Sequence, residues 1–103
     1  MTIQDQLKEV IEGNEIVLFM KGTPDFPQCG FSSRTASILQ ALDVRFASVD
    51  VLADHMVREG IKEYSQWPTI PQLYIHGQFV GGCDIVTEMY ENGDLQNLLD
   101  QAA

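Results

Sequence analysis

Basic side chains are scarce in this sequence: 6 Lys and Arg stand against 15 Asp and Glu, a formal charge of -9 at pH 7. A phosphate backbone or an anionic membrane surface would be repelled over most of such a molecule, which argues against nucleic acid and lipid as partners. Long apolar runs are missing as well. The longest, from Ile16 to Met20, falls far short of the roughly 20 residues that a membrane span needs, and residues 1–13 carry charge throughout with no signal-peptide core. Cysteine is confined to Cys29 and Cys83. Two such distant thiols look nothing like the disulfide framework of a small secreted domain, so a reducing compartment is expected. With only 4 prolines, 45% hydrophobic residues and no repeat or low-complexity stretch, the 103 residues suit one folded domain, 1–103, and leave little room for a second core. The expectation is a soluble intracellular protein, cytoplasmic unless a transit peptide has been removed on the way to an organelle matrix.

What is present is a regular succession of patterns. Thr2 and Asp5 have the spacing of a capping box, and Ile3, Leu7, Val10 and Ile11 recur at helical intervals before Gly13 and Asn14 stop them. Residues 15–20 form a nearly unbroken apolar run with β-branched members, as in a strand buried on both faces. Gly22, Pro24 and Pro27 make residues 21–28 a loop, after which Phe31, Thr35, Ile38, Leu39 and Leu42 share a helical face. Residues 45–51 read as a second strand, and 54–66 as a polar helix whose inward stripe is Met56, Val57, Ile61 and Tyr64. Two strands, 71–75 and 79–80, then meet at a glycine turn. Ile85, Val86, Met89 and Tyr90 form a last helical stripe, and Asp94 caps a final turn or two carrying Leu95, Leu98 and Leu99. A βαβ unit followed by a ββα unit predicts an α/β, thioredoxin-like fold: a four-stranded mixed sheet flanked by helices on both faces.

Chemistry concentrates at Cys29-Gly30-Phe31-Ser32, where a loop runs into a helix. Unpaired helical N–H groups at that end favour a thiolate and bring a cysteine pKa from about 8.5 into the range of roughly 3.5 to 7.5. Cys29 is therefore a candidate nucleophile or metal ligand, with Lys21 a further source of positive charge; the plainer reading is an inert buried cysteine. Ser32 stands where a dithiol enzyme has its second cysteine, and a hydroxyl cannot release a mixed disulfide. Any resolving thiol must come from Cys83 or a small molecule. Trp67-Pro68-Thr69-Ile70-Pro71 fixes its own backbone, although a cis bond at Pro71 is improbable at the general frequency of about 5 to 6%. Gly81-Gly82-Cys83-Asp84 precedes a helix, so its amides offer an anion site while Asp84 caps the helix or accepts from an ammonium group. Alone, such a turn is commonplace and Cys83 is a small buried residue.

Taken together, residues 19–24, 27–32, 49–52, 67–72 and 80–85 resemble a monothiol glutaredoxin of the C-G-F-S class over nearly the whole chain. The resemblance implies a thioredoxin fold with Pro71 cis and a groove for glutathione with Cys29 facing its sulfur. Carried over residue by residue, the glutathione contacts fall on Lys21, Arg58, Lys62, Ile70, Cys83 and Asp84. The cations would take the glycine-end carboxylate, the Ile70 backbone the cysteinyl unit, and the turn at residues 82–84 the γ-glutamyl zwitterion. His55, where the class tends to carry proline nearby, and Gln66, where it often has Asn, depart from the pattern without touching these positions.

The resemblance also implies a [2Fe–2S] cluster. Such a cluster takes about four ligands, mostly thiolates, and this chain has two cysteines without cluster spacing. The family arrangement is a homodimer bridged by the cluster, each subunit giving Cys29 and one bound glutathione; a rival would use Cys29 and Cys83 from both subunits. BolA-like proteins and iron–sulfur acceptor proteins are implied partners. Phe31 is either a rim contact for them or a packed helix residue, and neither His55 nor His76 is expected to bind metal. Two other readings use the same groove: a glutathione-dependent thiol–disulfide oxidoreductase with Cys29 as nucleophile, and a glutathione-binding adaptor without metal.

Overall fold

The apolar run becomes the first strand of the sheet, β1 (Ile16–Met20), buried at every position. Its side chains alternate between two cores, because successive residues of a strand point to opposite faces. Ile16, Leu18 and Met20 join one cluster, and Val17 and Phe19 the other. The computed structural model describes residues 1–102. Around β1 the chain runs α1 (Ile3–Glu12), α2 (Gly30–Ala41), β2 (Ala47–Asp50), α3 (His55–Ser65), β3 (Gln72–Ile75), β4 (Gln78–Gly81), α4 (Cys83–Asn92) and α5 (Asp94–Ala102). The sheet order is β2-β1-β3-β4. β1 is parallel to β2 and antiparallel to β3, and β3 is antiparallel to β4. This is the expected mixed, four-stranded thioredoxin-like sheet with helices on both faces.

One core is supplied by α2, α4 and α5 through Leu39, Val86, Leu95 and neighbours. The other is supplied by α1 and α3 through Leu7, Ile11 and Ile61. Thr2 and Asp5 do form the capping box that starts α1. α1 and α3 approach closely at Gly60: a Cβ there would stand 3.1 Å from Ile3 Cγ1 and 3.2 Å from Leu7 Cδ1, and Gln4 Nε2 donates to the Gly60 carbonyl at 3.0 Å. The hairpin turn has positive φ at both His76 (50°) and Gly77 (78°), the geometry that matches the twist of paired strands.

Four expectations need correction. Met56 is 64% exposed rather than inward-facing; the buried side of α3 follows Val57, Ile61 and Tyr64, and one residue's offset rotates a side chain by about 100° around the axis. Ile85 and Tyr90 are exposed while Val86 is buried, since they flank the strip of α4 that meets the sheet. Asp84 does not cap α4, whose N-cap is Gly82 without a side-chain bond. The C-terminal turn is a full helix of 9 residues.

Candidate functional site

The end of β1 leads into a loop closed on itself. Gln28 N–H donates to the Lys21 carbonyl at 2.9 Å, and Thr23 and Phe26 exchange backbone hydrogen bonds. Gly22 permits this: its φ is 86°, and its N–H donates to Asp50 Oδ1 at 2.9 Å, tying the loop to the end of β2. The loop delivers Cys29 to the N-cap of α2, where it makes no side-chain capping bond.

Ser32 lies in the first turn of α2 and is completely buried. Its Oγ accepts from the Lys21 amide at 3.0 Å. The hydroxyl thus joins the helix to the loop by satisfying a backbone donor. The Ser32 amide does most to hold the Cys29 thiol below the ordinary thiol range; partial burial opposes it, and the Phe31 amide and the Lys21 charge reinforce it. Cys29 is only partly buried. Its alkylation by iodoacetamide should therefore reach half its maximal rate at a pH below the ordinary value of about 8.5. Lys21→Gln should raise that midpoint only slightly, because the amides dominate. A midpoint at or above that of a free thiol would contradict this arrangement. Because the folded-state pKa is the lower one, ionised Cys29 stabilises the fold above the unfolded thiol's pKa, and that contribution is lost as pH falls through the folded value.

A cavity of about 480 Å³ opens beside the sulfur. It brings together the thiol and all six positions on which the glutathione contacts were expected to fall: Lys21, Cys29, Arg58, Lys62, Ile70, Cys83 and Asp84 all line it. Lys62 pairs with Glu59 at 3.2 Å. Arg58 Nε is buried with no hydrogen-bond partner among the described residues. The Ile70–Pro71 bond is cis, and among the described residues neither the N–H nor the C=O of Ile70 has a hydrogen-bond partner. Cys83 is only 8% exposed, with its sulfur 3.9 Å from Thr87 Oγ1. Both cysteines are free. Phe31 is 63% exposed at the cavity edge, which decides against the packed alternative.

Sequence reasoning gave part of the wall no contact role. Trp67, Pro68, Thr69 and Ile85 also line the cavity, and the indole of Trp67 leans on Phe79 with ring centroids 5.9 Å apart. A Cβ on Gly82 would stand 3.3 Å from the Pro71 carbonyl oxygen and 3.4 Å from Trp67 Nε1. That close approach explains glycine there better than chain freedom does. The signal for Trp67 was its position beside two prolines; nothing in the local pattern marked Ile85 as other than core.

The glutaredoxin family matches residues 16–80 of this chain. A ycf64-like monothiol glutaredoxin of Synechocystis is 52% identical over 97 residues, which cover 94% of this chain and 91% of that protein. The chain belongs to the monothiol glutaredoxins. The mitochondrial monothiol glutaredoxin-5 of Saccharomyces cerevisiae is 52% identical over 103 residues, covering 97% of this chain and 69% of its own length. Rice chloroplastic monothiol glutaredoxin-S7 is 56% identical over 96 residues, covering 93% of this chain, although these span only 57% of the rice protein. Among solved structures, that of reduced poplar apo GrxS14 superimposes with a TM-score of 0.86 at 50% identity, covering 98% of this chain and 93% of that one. A monothiol glutaredoxin is what the site's geometry describes, with one accessible thiol and a hydroxyl at the position of the second. Among the described residues no helix is long and apolar enough to cross a membrane.

Proposed function

We propose that this monothiol glutaredoxin holds glutathione in the cavity and carries a [2Fe–2S] cluster as cargo between two subunits, for storage or delivery to acceptor proteins. The observation that carries this reading is the partly exposed, thiolate-favouring Cys29 at the mouth of a cavity with Lys21, Arg58 and Lys62 in its wall. These are three of only six cations in a chain of charge -9, and the buried Arg58 Nε has a donor to spare. An anionic tripeptide suits them. The unpaired backbone of Ile70 can bond its cysteinyl unit, and Asp84 and the amides at 82–84 can take its zwitterionic end.

Ligand counting then asks for partners. Among the described residues no group of three or more His, Cys, Asp or Glu is placed to hold a metal ion, and Cys83 is buried. A four-ligand cluster is met by two Cys29 thiolates and two glutathione thiolates from a pair of subunits. A BolA-like protein would replace one of the subunits in a mixed pair. The lowered Cys29 pKa also favours a second reading, glutathione-dependent thiol exchange. There Cys29 attacks the glutathione sulfur of a mixed disulfide and releases the other thiolate. A second glutathione thiolate then attacks the new disulfide, yielding glutathione disulfide and free Cys29.

The test is anaerobic reconstitution with iron and sulfide, with and without glutathione, on wild type and Cys83→Ser. The expected result is a coloured dimer only when glutathione is present, in both proteins. Colour without glutathione, or its loss in Cys83→Ser, would favour a ligand set drawn from the two cysteines.

A further inference from the structure

The side chain of Gln72 lies at the start of β3 and is 0% exposed, one of only three buried polar or charged residues among those described. Burying an amide is unfavourable unless its bonds are made, and here they are. Nε2 donates to the Trp67 carbonyl at 3.0 Å and to the Thr69 carbonyl at 3.2 Å. Oε1 accepts from the Tyr74 hydroxyl at 3.1 Å. The chemistry admits one orientation only, because carbonyl oxygens accept and so require the NH₂ end, leaving the oxygen for the one hydroxyl.

That hydroxyl is itself held. The Tyr74 ring meets Phe19 at 5.6 Å, Tyr64 at 6.0 Å and Phe79 at 5.4 Å between centroids. Burial pushes its pKa up to about 12, so it remains a donor. From the other side, Ser65 Oγ accepts from the Trp67 amide at 3.1 Å. The segment so gripped belongs to no helix or strand, and Trp67, Pro68 and Thr69 are exposed. Yet it forms one wall of the cavity and ends at the unpaired backbone of Ile70.

We propose that Gln72 is the positioning residue for this wall: by drawing two carbonyls inward it turns the Trp67 ring and the Ile70 backbone toward the ligand. The proposal rests on the reading of the cavity as a glutathione site. An apolar side chain of the same length would fill the same space but leave the Thr69 carbonyl without its partner and the Trp67 carbonyl with only the long 3.5 Å bond from Ser65 Oγ, and the segment would follow them toward water.

The single tryptophan reports its own position, so Gln72→Met and Tyr74→Phe can be compared with wild type by Trp67 emission, acrylamide quenching and glutathione titration. Gln72→Met is expected to shift the emission to the red and weaken glutathione binding about tenfold, in keeping with the loss of the two hydrogen bonds that hold the wall carbonyls. Tyr74→Phe removes one oxygen and should produce roughly a threefold loss in the same direction. Alkylation of Cys29 should stay within about twofold in both, because its activating amides belong to α2. A role in packing alone would lower the melting temperature and leave emission and affinity where they were. That result, or an emission shift without loss of affinity, overturns the proposal. Should Gln72→Met not fold, Tyr74→Phe decides. If wild type itself takes up no glutathione, the cavity reading fails, and the emission data alone judge whether Gln72 sets the wall.

Discussion

Cys29→Ser should take up no cluster under conditions where wild type does, and should be slightly more stable at acidic pH, where the wild-type thiol is protonated and its interaction with the helix amides is lost. The first half follows from ionisation, since a serine hydroxyl stays protonated at neutral pH and offers iron no thiolate. The second half follows from the cap. Cys29 is the N-cap of α2 and makes no capping bond, whereas serine is among the preferred N-caps, worth about 1 kcal/mol over a residue that cannot cap. Iron and sulfide analysis after reconstitution reads the loss, and thermal unfolding of the metal-free proteins at acidic pH reads the gain. Uptake equal to wild type would remove Cys29 from the ligand set. A clear fall in melting temperature would mean that the thiol packs in a way its partial exposure does not suggest.

Gly22→Ala is the second large effect, this time on the scaffold. A Cβ there would stand 2.5 Å from the Phe26 carbonyl oxygen and 2.8 Å from the Gln28 amide nitrogen. Both are backbone atoms, so no rotamer change relieves the contact. The φ of 86° adds its own cost, about 1 to 2 kcal/mol for a residue with a Cβ. Gly77 supplies the control, having a similar φ of 78° but nothing within 4 Å of its would-be Cβ. Gly77→Ala should show the conformational cost alone. Gly22→Ala should lose about 3 kcal/mol or more, a fall in melting temperature of more than roughly 10 °C for a domain of this size. The damage should reach the site, because the next bonds along the loop are those from the Lys21 amide to Ser32 and from Gln28 to Lys21. Equal melting temperatures for the two variants would show that the loop gives way more easily than its bonding implies.

Much of this was written plainly in the chain. The run at residues 16–20 has one physical solution, a strand covered on both sides, and β1 is that strand. A cysteine between a proline-bearing loop and an apolar helical stripe had to fall at a helix start. The motifs that carry the family likeness also drew seven distant residues to one cavity. Less legible was anything decided by a helix's angular setting. Met56 and Ile85 are as apolar as their neighbours, and only the placement of α3 and α4 against the sheet turned them outward. The isomer of the Ile70–Pro71 bond was beyond local reasoning too, since the two forms differ by only about 0.5 to 1 kcal/mol; the family likeness supplied it. Gln72 was hidden for the opposite reason. A glutamine at the head of a strand reads as solvent-facing, and its burial makes sense only once the carbonyls of a neighbouring loop are seen to need it.

The contact of α1 with α3 has a reach beyond the core in which it sits. Gly60 lies between Arg58 and Lys62, so the helix that presents both cations to the cavity is seated, on its far side, against Ile3 and Leu7 with no side chain intervening. Any larger residue at position 60 would act as a wedge, levering the guanidinium and the ammonium relative to a sulfur anchored on a different helix. The gauge of the opening beside Cys29 is thus partly set by an N-terminal helix that lines none of it.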